Sequence, residues 1–107
     1  MFPKHIRLQL RQEKDFFKTA KRKNFPLFQV LYRPAEQTQF AVVVPKKVSL
    51  KATERHKILR RMRAILVAQQ AGFESKQVVV VLFKTSLGKS FSVLNEMVNT
   101  AVQQLNS

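Results

Sequence analysis

Between residues 46 and 66 the chain sorts its residues by charge in a way that only a helix reconciles. Ile58, Leu59, Met62, Ile65 and Leu66 recur at intervals of three and four, the spacing of one helical face. Stepping ~100° per residue from Arg55 gathers these five on one arc. His56, Lys57, Arg60, Arg61 and Arg63 fall on another, with no overlap. Arg55 lands on the apolar meridian, one turn from the helix start, where its side chain can reach out past the end. The helix is predicted over residues 52–71, with Gly72 as the C′ residue that ends it. One side of such a helix packs into a core and the other faces a polyanion. A solvated surface helix is the plainer alternative. Membrane-surface binding is a further one, but it would need the apolar face that the core also needs.

The charge is clustered as well as large. Twenty Lys and Arg oppose six Asp and Glu, a net +14. Eight of the twenty lie in residues 46–63 (Lys46, Lys47, Lys51, Arg55, Lys57, Arg60, Arg61, Arg63). Eight more lie in the first 23 residues, among them Arg11, Lys18, Lys21, Arg22 and Lys23, so the charge forms two regions and not an even coat. Disordered basic tails reach similar charge, but they lack unbroken runs such as Val78-Val79-Val80-Val81-Leu82-Phe83. A folded cationic module with a nucleic-acid partner follows; a merely basic protein is the duller alternative. The 107 residues read as one RNA-binding domain, 1–107, with 1–10 as an irregular basic arm. At this size a core forms without staples, burying roughly 65% of the unfolded chain's surface. Cysteine is absent, which excludes disulfides and thiolate metal sites. No apolar run approaches the ~20 residues of a membrane span, and no signal peptide is visible. A cytoplasmic protein without membrane association is the expectation.

Along the chain, residues 11–23 read as a short helix with an apolar patch of Phe16, Phe17 and Ala20. Residues 27–33 alternate, with Phe28, Val30 and Tyr32 on one side of a strand. A turn at 34–38 leads to a β-branched strand at 40–44, expected to form a hairpin with the first. Pro45 stops it, and 46–51 form a basic loop. Residues 77–83 suit a strand buried on both faces. After a turn holding Gly88, Ser90 is a good N-cap for a last helix. Phe91, Leu94, Met97, Val98, Ala101, Val102 and Leu105 mark that helix's apolar stripe. The order α-β-β-α-β-α describes a small α/β two-layer sandwich.

The residues point to binding and away from catalysis by the polypeptide. His5 and His56 both sit inside basic clusters, the six carboxylates are scattered singly, and no phosphate loop or nucleophile–base pattern exists. No catalytic residue and no metal ligand is expected. Arginines on a rigid helix suit folded RNA, where phosphate contacts and shape dominate. Phe16, Phe17, Phe28 and Tyr32 lie in or beside the basic N-terminal region, as stacking platforms for single strands do. Core packing is the alternative for each Phe, and Tyr32 is the best stacking candidate because its hydroxyl favours a wet edge.

These segments, in this order, resemble the protein subunit of bacterial ribonuclease P over nearly the whole chain. Asp15-Phe16 follows Arg7-Leu8 in a basic first helix, and Val30-Leu31-Tyr32 is the next strand. Val44-Pro45-Lys46-Lys47-Val48 resembles the family's Val-Ser-Lys-Lys stretch. Glu54-Arg55-His56-Lys57-Ile58-Leu59-Arg60-Arg61 resembles its Arg-Asn-Arg-Ile-Lys-Arg signature. The chain departs from the pattern at His56 (usually Asn), Lys57 (Arg), Leu59 (Lys), Ala20 (Phe) and Pro45 (a small polar residue). The resemblance implies a left-handed β-α-β crossover through the basic helix. It implies a subunit of an RNA-catalysed endoribonuclease that removes the 5′ leader of precursor tRNA. Magnesium would belong to the RNA-containing holoenzyme, one protein joining one catalytic RNA. By the same resemblance, Lys46, Lys47, Lys51, Arg55, His56, Lys57, Arg60, Arg61 and Arg63 would meet the catalytic RNA. Arg11, Phe16, Phe17 and Tyr32 would line a groove for the leader. The alternative is a non-enzymatic RNA-binding module, such as a ribosomal protein or RNA chaperone.

Overall fold

The most apolar segment takes the most buried place. In the computed structural model, which describes residues 6–10 and 15–106, the valine run forms β4 (Lys76–Leu82). It pairs on both sides, antiparallel to β2 (Phe28–Pro34) and parallel to β3 (Gln39–Val43). With β1 (Lys21–Asn24) the sheet order is β1-β2-β4-β3. This corrects the expected hairpin. β2 and β3 are adjacent in sequence but not in the sheet, because β4 enters between them. Insertion gives the valine strand a backbone partner on each edge and cover on each face, which neither edge position offers. The hairpin that does form is β1–β2, with Lys21 opposite Tyr32 and Asn24 opposite Gln29.

Strand alternation divides the apolar residues between two clusters. Phe28, Val30, Phe40, Val78, Val80 and Leu82 face the helical layer. There α2 (Ala52–Ala68) buries Ile58, Met62, Ile65 and Leu66, and α3 (Phe91–Leu105) buries Leu94, Val98, Ala101 and Leu105. The opposite face carries a smaller cluster of Leu8, Phe16, Leu31 and Val79 beneath α1 (Phe16–Thr19). The expected residues of α3 hold except Phe91, which is half exposed in the first turn. Ser90 caps α3, its hydroxyl accepting from the Val93 N–H at 3.3 Å.

Other boundaries move for local reasons. The first helix is one turn long and stops before Ala20, and Lys21 onward belongs to β1 instead. Residues 6–8 are no loose arm. Arg7 bridges to Phe40, Leu8 N–H donates to the Phe40 carbonyl at 2.8 Å, and Ile6 and Leu8 are buried in opposite clusters. The long helix ends at Ala68 and continues as a 3₁₀ turn, Gln70–Phe73. Gly72 lies inside that turn, and the left-handed residues are Glu74 and Ser75. What Gly72 supplies is room: a Cβ there would stand 2.8 Å from Val102 Cγ1.

Candidate nucleic-acid interface

Helix α2 is mounted by its apolar arc, and this fixes where its cations point. His56, Lys57 and Arg60 are exposed, while Arg55, Arg61 and Arg63 are half-buried at the margins. Leu59 is also half-buried, at the edge of the apolar arc. Arg55 does reach past the helix start, its Nη1 donating to the Ser49 carbonyl at 2.6 Å. That bond ties the basic loop to the helix it precedes. Lys46, Lys47 and Lys51 are all exposed on this loop, and Val48 pins it to the interior. The one acid in the helix's first turn is Glu54, which accepts from the Ser49 hydroxyl at 2.6 Å. Its charge suits the positive end of the helix dipole. No second acid follows it in the helix.

The sheet brings in two lysines that stood outside both sequence clusters. Because β3 and β4 are parallel, the turns that follow them leave at the same end of the sheet. Lys46–Val48 and Lys84–Ser86 therefore lie side by side. Lys84 and Lys89 join the basic end, and Arg61 Nη1 donates to the Lys89 carbonyl at 3.2 Å. Only the β3–β4 pairing reveals this, and the expected hairpin hid it. The opposite end of the sheet holds Glu36 and Glu74, drawn close by the Ala35 N–H bond to the Ser75 carbonyl at 2.9 Å. Arg33 and Lys76 share that end of the sheet, so it is mixed in charge where the other end is basic.

The aromatic candidates are not gathered into one groove. Phe16 is fully buried under α1, whereas Phe17 is 45% exposed and stands edge-on against it at 5.6 Å. Tyr32 is half-buried and packs on the main cluster, so it lies on the other face of the sheet. Phe28 is core. Arg11 lies outside the described residues. Arg33 takes a structural part: its guanidinium sits 5.1 Å from the Phe16 ring centroid. It donates to Gln77 Oε1 at 2.7 Å, Thr19 Oγ1 at 2.9 Å and Asp15 Oδ1 at 3.3 Å, clamping α1 to the sheet. Beside that clamp the sheet face carries Asn24 and Gln29, joined at 2.8 Å, with half-buried Val43 and Val81. Among the described residues, no three His, Asp or Glu side chains are grouped to hold a metal, and no helix is long and apolar enough to cross a membrane.

A family model described as ribonuclease P matches residues 2–106. Among solved structures the chain is similar to the RNase P protein of Thermotoga maritima, at 25% identity and TM-score 0.82, covering 92% of this chain and 96% of that one. It is also similar to a Staphylococcus aureus RNase P protein mutant with defective mRNA degradation activity, at 15% identity and TM-score 0.85, covering 96% and 90%. No curated protein matches it significantly.

Proposed function

Because the chain belongs to the bacterial ribonuclease P protein family and serves tRNA processing as its RNA-binding subunit, we propose a division of labour between its two faces. The cationic arc of α2, with Lys46, Lys47 and Lys51, holds the ribonuclease P RNA. The sheet face beside α1 receives the single-stranded 5′ leader of precursor tRNA. The observation that carries the first half is the rigid mounting of α2. Its apolar side is locked into the core, and Arg55 secures the loop before it. Such a surface meets folded RNA without first losing backbone freedom, which favours affinity.

On the leader side Phe17 offers the exposed ring, and the exposed cations Lys18 and Arg22 lie near it in sequence. Phe16 supports Phe17 from below and does not itself stack. Tyr32 belongs to the opposite face and is left out of this groove. The RNA supplies the hydrolytic chemistry and holds the magnesium it uses, in a one-protein, one-RNA enzyme. The polypeptide's part is to bind, orient and neutralise phosphate charge.

Reconstitution tests this. The protein with its cognate RNA is expected to cleave precursor tRNA at low magnesium faster than the RNA alone. A long leader should strengthen substrate binding. No gain in cleavage and no leader dependence would overturn the proposal.

A further inference from the structure

A cleft of about 150 Å³ opens where α2 meets the turn between β4 and α3, lined by Glu54, Lys57, Ile58, Arg61, Leu87 and Gly88. We propose that this cleft and the lysines bracketing its turn, Lys84 and Lys89, form a second wall of the RNA interface that grips one phosphodiester of the folded catalytic RNA. The inference rests on the assignment of α2 to that RNA, and adds a site and two residues to it.

The chemistry of the lining selects the ligand. Lys57 and Arg61 are one helical turn apart, so both reach the same side of the cleft. Lys57 makes no hydrogen bond or ion pair with the described residues. Arg61 uses one N–H on the Lys89 carbonyl, and a guanidinium has five, so most of the fork remains for a phosphate's oxygens. The one carboxylate in the lining, Glu54, is held by Ser49 and pairs with neither cation. Ile58 and Leu87 form an apolar floor, and no aromatic ring is present to stack a base.

The facing wall is built from backbone. Gly88 has φ +76, and a Cβ placed there would meet nothing within 4 Å, so the turn faces open space. Lys84 and Lys89 are exposed on either side of it. The turn is not a loose flap. Thr85 Oγ1 donates to the Pro26 carbonyl at 2.7 Å, Ser86 is buried, and Arg61 ties down Lys89. A cationic wall on α2, a fixed backbone wall opposite it and two exposed lysines flanking that turn surround a space large enough for a small ring such as benzene, which fits a phosphate group of a strand passing between them.

Binding of the whole protein to its cognate catalytic RNA, measured across a series of monovalent salt concentrations at fixed magnesium, tests the site. Each phosphate contact contributes about 0.7–0.9 to the slope of log K against log salt. Lys84→Ala with Lys89→Ala is expected to lower that slope by about 0.7–0.9, the share of one phosphate, while leaving the melting temperature unchanged. Lys21→Ala with Lys23→Ala removes the same charge from the far edge of the sheet and is expected to leave the slope at the wild-type value. An unchanged slope in the first pair, or an equal drop in both, overturns the inference. A wild-type protein that fails to prefer the catalytic RNA over an unrelated folded RNA overturns the assignment of α2 instead, and the inference with it.

Discussion

Phe16 and Phe17 are neighbours in sequence with opposite surroundings, and the difference is testable. Phe16 is fully buried between Leu8, Leu31, Val79 and the Arg33 guanidinium. Phe16→Ala is expected to lose about 3–5 kcal/mol of stability, read by urea unfolding. Phe17→Ala should move stability by less than about 0.5 kcal/mol. It should instead weaken binding of leader-bearing precursor tRNA by about 1–3 kcal/mol, the worth of one stacked base. Fluorescence anisotropy with and without the leader separates the two effects. A one-turn helix carries too little periodicity to say which ring turns inward. Sequence therefore marks both as candidates, and only the sheet beneath α1 distinguishes them. Arg33 is a similar case: it is one more cation in the composition, and the fold makes it a clamp.

Among the elements, those with strong internal pattern were legible and those defined by their partners were not. Both faces of α2, the doubly buried β4 and the Ser90 cap follow from spacing and residue type alone. β1 does not, because Lys21, Arg22, Lys23 and Asn24 carry no alternation of apolar and polar residues; the strand exists through its backbone pairing with β2. Its charges also suit an exposed edge, where they discourage pairing with another chain. The hairpin expectation failed because strand order is decided by a segment more than thirty residues downstream. α2 also shows function set against stability. Lys51 occupies its N-cap position, makes no side-chain cap bond, and places a cation at the positive end of the helix dipole. Lys51→Ser is expected to raise stability by about 0.5–2 kcal/mol. It should also reduce the salt slope of RNA binding by about 0.7–0.9. Thermal unfolding and salt titration of the same variant check both signs.

For the molecule as a whole, a net charge of +14 makes the free protein repel itself. The polyanion it binds should therefore stabilise it. At a free RNA concentration 100 times Kd the gain is about 2.7 kcal/mol, seen as a higher melting temperature. High salt should abolish that gain, since it removes the binding. A rise that persists in high salt would contradict an electrostatic interface. The insertion of β4 between β2 and β3 bears also on how the chain is made. The strands on either side of the gap are synthesised first, and neither has its main partner until Leu82 is in place. At about 5–20 residues per second, the residues of α2 are synthesised about one to three seconds before the closing strand is complete. The sheet cannot close before that strand arrives, and the layer that mounts α2 is complete only with α3, which follows it in the chain and packs on α2.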